Sequence, residues 1–330
     1  MTQGIRIFPP NWLGDVIMAQ PAMRAIVQHH PDKNIHVFGR PWLSDLLPFL
    51  NLGQTTYQAE LTSTQTSFLF RNSFHAAWLA FRSGSDERHG FKHEYRSLLL
   101  THAYRPKLNM QHEHHRDYFL DLVEQAGIPV SKRHVSLKAN QVDLDAGIAL
   151  LQEHNIDPER CVCIAPGAQF GGAKRYPSQA YAYILKWLSE AGWQPVILGT
   201  QAERDIGEQC LLKTSGKSWN ASGTTSLRQA LQLVACSQLT LCNDSGLMHV
   251  SAGLGKPTVG IFGATDPSRT APSGEHVSLL YKPASCSPCL KRECSVSGHP
   301  CMVNVLPEMV RDACLEQLIN GVIINGVRLD

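Results

Sequence analysis

The sequence predicts an α/β protein of two Rossmann-like domains facing a cleft. Three observations carry this. A β–loop–α–β pattern opens the chain, the same pattern restarts near residue 161, and 330 residues are more than one ordinary core organises. The expected domains are 1–157 and 158–330.

Taken in order, Ile5–Phe8 is a short apolar strand that breaks at Pro9-Pro10. A helical pattern follows Gly14, with Val16, Ile17, Ala19, Met23, Ile26 and Val27 on its apolar side, and Ile35–Phe38 supplies the next strand. This βαβ unit builds a parallel sheet by a right-handed crossover. The polar stretch from Asp143 to Arg160 reads as the connection between domains. The second unit begins with the strand Cys161–Ala165, passes through a glycine-rich loop, and enters a helix from Ser178 to Ala191 that stops at Gly192. Strands at Pro195–Leu198, Leu239–Cys242 and Thr258–Phe262 follow, with a helix to about Leu254 between the last two. Pro307–Ile324 reads as a final helix with Val310, Cys314, Leu318 and Val322 on one face, able to pack back on either domain, the N-terminal one included.

Composition narrows the function classes. With 43% hydrophobic and 18% charged residues and no low-complexity tract, the chain has the make-up of a globular enzyme. The first ten residues lack the apolar core of an export signal, and no run reaches the roughly 18 apolar residues of a membrane span, so a cytoplasmic location with reduced thiols is expected. The net charge of +2 is uninformative, but Arg82 to Arg116 holds seven Lys or Arg against four acids, a candidate basic surface. It lacks the charge excess and exposed aromatics of a nucleic-acid site.

In open α/β sheets, ligands bind on loops at the carboxyl ends of strands, and three loops fit that rule. The first is Asn11-Trp-Leu-Gly-Asp15, where Gly14 permits a tight turn and Asp15 stands at a helix start, either as a site carboxylate or as a first-turn acid complementing the helix dipole. The second, Pro166–Pro177, places Gly167 and two further glycines ahead of Lys174 and Arg175, a setting for a pyrophosphate without the spacing of a P-loop. The third, Asn243-Asp-Ser-Gly246, opens a helix bearing His249; Asp244 or Ser245 capping that helix is the simpler reading. Gly263–Pro267 is expected beside it.

Two clusters compete for attention. Cys286, Cys289, Cys294 and Cys301 have the spacing C-x₂-C-x₄-C-x₆-C, compatible with a structural zinc but tighter than a usual zinc ribbon. His112, His114 and His115 lack i,i+4 spacing and read as a solvated surface.

Asn11-Trp-Leu-Gly-Asp-Val16, Pro166-Gly-Ala168, Lys174-Arg-Tyr-Pro177 and Asn243-Asp-Ser-Gly-Leu-Met-His249 together resemble the motifs of glycosyltransferase family 9, from residue 11 to about 302. The resemblance implies a GT-B architecture, with acceptor on the first domain and nucleotide sugar on the second. It implies inverting transfer of a heptose from ADP-L-glycero-D-manno-heptose to heptosyl-Kdo₂-lipid A, the inner core of lipopolysaccharide. Asp15 matches the family's base and Lys174 its leaving-group cation. Gly167, Lys174, Arg175, Glu203, Asp244, Ser245, Gly246 and His249 match donor positions; Trp12 and Gly14 fall beside the acceptor, and Arg88, Lys92 and Arg96 of the basic stretch suit an anionic one. Where some members carry a hydroxyl shortly before the lysine, this chain has Gly171, Gly172 and Ala173, leaving backbone N–H groups to serve. No cofactor is required by this reading, the membrane is met peripherally at the cytoplasmic face of the inner membrane, and oligomeric state stays open. The alternatives are another sugar-nucleotide enzyme, such as a different heptosyltransferase, a UDP-sugar transferase or an epimerase, and a non-catalytic sugar-nucleotide binder.

Overall fold

The computed structural model of the protein describes residues 4–109 and 112–324, without side chains beyond Ile319. The chain forms two compact units, residues 1–138 and 139–330.

The first unit runs β1 (Gly4–Phe8), α1 (Leu13–His29), β2 (Asn34–Phe38), α2 (Leu43–Leu46), β3 (Thr55–Gln58), β4 (Thr66–Leu69), α3 (Phe74–Arg82), β5 (Glu87–Phe91), β6 (His102–Tyr104) and α4 (His115–Gln125). Its six strands are parallel and ordered β3-β2-β1-β4-β5-β6. All of β1 is buried, as a central parallel strand covered on both faces must be. From Val16 to Ile26 every residue of α1 is buried, because α4 packs along this helix. Gln20 and Arg24 on α1 donate to the carbonyls of Leu50, Ser136, Lys132 and His134, so the helix also ties down two peripheral loops.

The second unit runs α5 (Gln141–Glu153), β7 (Cys161–Ala165), α6 (Ser178–Glu190), β8 (Gln194–Ile197), α7 (Arg204–Leu211), β9 (Trp219–Asn220), α8 (Leu227–Cys236), β10 (Leu239–Asn243), α9 (Gly246–Gly253), β11 (Thr258–Phe262), α10 (Pro267–Thr270), β12 (Val277–Tyr281), α11 (Pro300–Val303) and α12 (Pro307–Ile324). The strand order, β12-β11-β10-β7-β8-β9, is the same topology read from the other edge. Each sheet therefore has the doubly wound Rossmann order, with its switch point between β1 and β4 in one unit and between β7 and β10 in the other. The two Rossmann-like domains expected from sequence are present.

One boundary expectation needs correction. The units divide after Lys138, upstream of residue 157, because the polar stretch read as a connection is helix α5, which packs on α8. Gly147 permits that contact: a Cβ there would lie 2.7 Å from the Gln232 carbonyl oxygen and 2.8 Å from Cys236 Sγ. The final helix, α12, packs on α6 and on β10, β11 and β12 of its own unit. Val310, Cys314 and Leu318 are buried there as the periodicity predicts, while the side chain of Val322 lies outside those described.

Asp143 anchors α5. Its Oδ1 accepts from Arg228 Nε at 2.8 Å and Gln232 Nε2 at 2.7 Å. Burial alone would raise its pKa, but the Arg228 and Gln232 hydrogen bonds and the Arg228 charge hold it below the usual carboxylate value. A depressed folded pKa contributes stability that is present above the unfolded value and lost as pH falls through the folded one. Asp143→Asn is expected to lower unfolding free energy by about 1–3 kcal/mol at pH 7. In urea melts the gap from wild type should close as pH drops below about 4; a gap independent of pH sinks the assignment.

Candidate active site

In the first unit, the carboxyl end of β1 leads through Pro9–Asn11 into α1, whose N-cap is Trp12. No side chain caps this helix. Gly14 is absent from the residues with positive φ and is an ordinary member of the first turn, so the bend expected there is made before it. Asp15 is the third residue of α1, 30% exposed in its side chain, an acid in the first turn at the helix's positive end. Trp12 stands beside it, 48% exposed. The loop geometry is pinned from β4: Arg71 Nε donates to the Pro9 carbonyl at 2.7 Å and its Nη2 to the Phe38 carbonyl at 3.0 Å.

Two of the three cations singled out in the basic stretch are given to the backbone, while Arg82, Lys92, Arg105 and Lys107 are exposed. Arg88 sits near the amino end of β5, away from the rim where ligands bind, with its guanidinium given to the carbonyls of Leu99, Ser85 and Asp86 and stacked 5.4 Å from Phe81. Arg96 is fully buried. It donates to the Arg71 carbonyl at 2.6 Å and Asn72 Oδ1 at 3.0 Å, and burial lowers its pKa to about 10. Lys92, just past the carboxyl end of β5, is exposed at the rim; so is Arg40, past the end of β2, which charge counting did not single out. His115 is no surface residue either: its side chain is 16% exposed and its Nδ1 lies 3.7 Å from Asp15 Oδ1.

In the second unit, the loops after β7, β8, β10 and β11 converge at the switch point. Asn243, at the end of β10, is fully buried. Its Oδ1 accepts from Tyr176 N at 3.3 Å and Tyr181 Oη at 3.0 Å, while its Nδ2 donates to the carbonyls of Pro166 at 2.7 Å and Gly167 at 3.3 Å. Asp244 turns away from α9: its Oδ2 takes Lys174 Nζ and Thr265 Oγ1, each at 2.5 Å. Thr265 comes from the loop after β11 expected beside this turn. The capping reading of Asp244 and Ser245 is thus overturned. Ser245 is the N-cap of α9 without a side-chain cap bond, and its buried Oγ has no hydrogen-bond partner among the described residues. The first amides of α9, which begins at Gly246, are left for an anion. His249 is buried one turn in.

The glycines before Lys174 serve a different purpose from the one expected. Gly171 N donates to Ala168 O, Gly172 N to Glu293 Oε1 and Ala173 N to Arg292 O, so these amides are already engaged. Gly171 has φ 152° and lies against the backbone of Arg292, where a Cβ would collide. Lys174 and Arg292 lie 4.9 and 5.4 Å from the Phe170 ring, one cation from each segment. The cysteine-bearing segment therefore clamps the loop. Among the described residues no group of three or more His, Cys, Asp or Glu is placed to hold a metal ion. Arg175 follows Lys174, and its Nε has no partner among the described residues. Glu203, 7% exposed, accepts at Oε2 from Thr200 N at 2.8 Å and Thr200 Oγ1 at 2.9 Å. Its Oε1 abuts Gly167.

Sequence reasoning found the loops but missed Asn243 as their tie, Arg71 as the pin of the first loop, and His115. The signal for Asn243 was its place at the head of the Asn-Asp-Ser-Gly turn; nothing local marked the other two.

The sequence profile of glycosyltransferase family 9 (heptosyltransferase) matches residues 62–299. Lipopolysaccharide heptosyltransferase 2 of Escherichia coli (strain K12) is 26% identical, over 93% of this chain and 96% of its own. The structure of the E. coli ADP-heptose lipopolysaccharide heptosyltransferase II superposes with TM-score 0.79 at 22% identity, covering 96% of this chain and 99% of that one. A family 9 glycosyltransferase from Veillonella parvula DSM 2008 superposes at 0.81 with 17% identity, over 97% and 99%.

A Cβ at Gly167 would overlap the Glu203 carboxylate. Gly167→Ala should push Glu203 off Thr200 and cost about 1–3 kcal/mol in urea unfolding. A loss under about 0.5 kcal/mol would mean the two loops are free to part.

Proposed function

The chain belongs to glycosyltransferase family 9, and from that premise we propose that it transfers L-glycero-D-manno-heptose from ADP-heptose to heptosyl-Kdo₂-lipid A, the reaction class of heptosyltransferase II. The observation that carries the reading is the gathering of the family's motif residues at the two switch points. Asp15 stands at that of the first unit; Lys174, Asp244 and Ser245 stand at that of the second.

The chemistry follows from those positions. The acceptor hydroxyl attacks the anomeric carbon with inversion, and Asp15 takes its proton as the new C–O bond forms. The bond from the anomeric carbon to the β-phosphate oxygen breaks, and its electron pair leaves with ADP. Lys174, aimed by Asp244 and Thr265, and the open amides of α9 stabilise that charge. In this reading Glu203 Oε1 accepts from ribose hydroxyls, and Ser245 Oγ and Arg175 Nε are further donors for the diphosphate. On the acceptor side, Trp12 offers an apolar face, while Arg40 and Lys92 replace Arg88 and Arg96 as the rim cations for Kdo carboxylates and lipid phosphates. Among the described residues no helix is long and apolar enough to cross a membrane. The lipid acceptor is reached by peripheral contact at the cytoplasmic face of the inner membrane.

ADP release from ADP-heptose with heptosyl-Kdo₂-lipid A tests this. Asp15→Ala should lower kcat by about 10²-fold or more. Lys174→Ala should lose about 10²-fold in kcat and weaken ADP binding in calorimetry. Preference for a uridine nucleotide would instead indicate another sugar-nucleotide enzyme. Binding of ADP-heptose without turnover, indifferent to Asp15→Ala, would indicate a binder.

A further inference from the structure

The base position carries a partner that neither the motif nor the spacing marks. Helix α4 lies along α1, which sets the first residue of α4, His115, beside the third residue of α1. His115 Nδ1 is 3.7 Å from Asp15 Oδ1, and the two side chains are 16% and 30% exposed. The pair is thus partly shielded from solvent, His115 more than Asp15. Its separation exceeds a charge-assisted hydrogen bond by about 1 Å, and catalytic hydrogen bonds of this kind tighten when substrate binds.

The charges around the pair are committed elsewhere. On α4, His114 Nδ1 accepts from Arg116 N at 3.1 Å, and Arg116 pairs with Asp117 at 3.0 Å. Asp117 also pairs with Arg133 at 3.4 Å. On α1, Asp15 is the group that faces His115.

We infer that His115 is a positioning residue for Asp15, holding the carboxylate in the orientation in which it takes the acceptor's proton; the inference rests on the function proposed above. A neutral imidazole with its proton on Nδ1 donates to Oδ1. Oδ2 is then directed at the acceptor hydroxyl. The hydroxyl proton goes to Oδ2 while the glycosidic bond forms and the phosphate leaves, so His115 neither gains nor loses a proton. Without it, a first-turn carboxylate is free to rotate, and misplacement of a reacting group on this scale costs up to about 10²-fold in rate.

The test compares wild type with His115→Ala and His115→Asn, whose amide nitrogen occupies about the place of Nδ1. In the ADP-release assay, His115→Ala should lose about 10- to 10²-fold in kcat with an unchanged KM for ADP-heptose and an unchanged melting temperature. His115→Asn should recover to within about threefold of wild type. In an Asp15→Ala background His115→Ala should add no further loss. Equal impairment of the Ala and Asn variants, or wild-type kcat in both, overturns the inference. Imidazole ¹⁵N shifts decide the pair without turnover: the Nδ1–H tautomer is expected, and the Nε2–H tautomer overturns it. Wild type inactive on the lipid acceptor would defeat the proposed reaction, and the tautomer would still decide the pair.

Discussion

The second domain's rim depends on one buried amide. Asn243 has no contact with water, so each of its donors and acceptors must be met inside the protein, and each is: two tyrosine groups on one side, two loop carbonyls on the other. This ties the end of β10 to the loop leaving β7, the two strands that flank the switch point. Removing the amide would strand two loop carbonyls and a buried tyrosine hydroxyl at once. Leucine has the right size but could satisfy none of them.

With the loops fixed, the electrostatics follow. Lys174 has little freedom, because Asp244 and Thr265 hold its end of the loop while Phe170 lies along its cation. A lysine already paired to a buried carboxylate brings no net charge by itself. Lys174 supplies a directed N–H donor, and the further pull on an anion comes from α9, whose N-terminus would lose that role if Asp244 or Ser245 capped it as such residues commonly do. Asp244 thus gives up a routine stabilising bond to α9 and spends its carboxylate on aiming Lys174. The glycines ahead of the lysine belong to the same arrangement: they admit the backbone of the cysteine-bearing segment rather than a phosphate.

The first domain shows why counting charges along a chain misreads a surface. Arg71, Arg88 and Arg96 all lie in or beside the basic region, yet each guanidinium is given to backbone carbonyls. Such arginines lock loops in place, and their positive charge is largely unavailable to a ligand. A planar donor with five N–H groups suits this work better than lysine does. The exposed cations Lys92 and Arg40 stand at the ends of β5 and β2, positions defined by topology and not by local charge density.

What the sequence made legible was periodic or punctuated. The strands at residues 161–165 and 258–262 and the helix at 307–324 have uninterrupted apolar patterns and clear stops, and they lie where those patterns place them. β5 and β6 carry Glu87, Arg88, His89 and His102, sit toward one edge of their sheet, and offer no alternation to read. Helix α5 hid behind Asp143, a residue whose polarity suggests solvent and whose partners, Arg228 and Gln232, lie far along the chain. The same limit governs the pair at the base. Asp15 was visible because a helix start after a strand is a local event, whereas His115 reaches it only through the packing of α4 on α1. Chemistry held by one loop can be read from that loop; chemistry shared between two helices belongs to their packing, which composition and spacing do not encode.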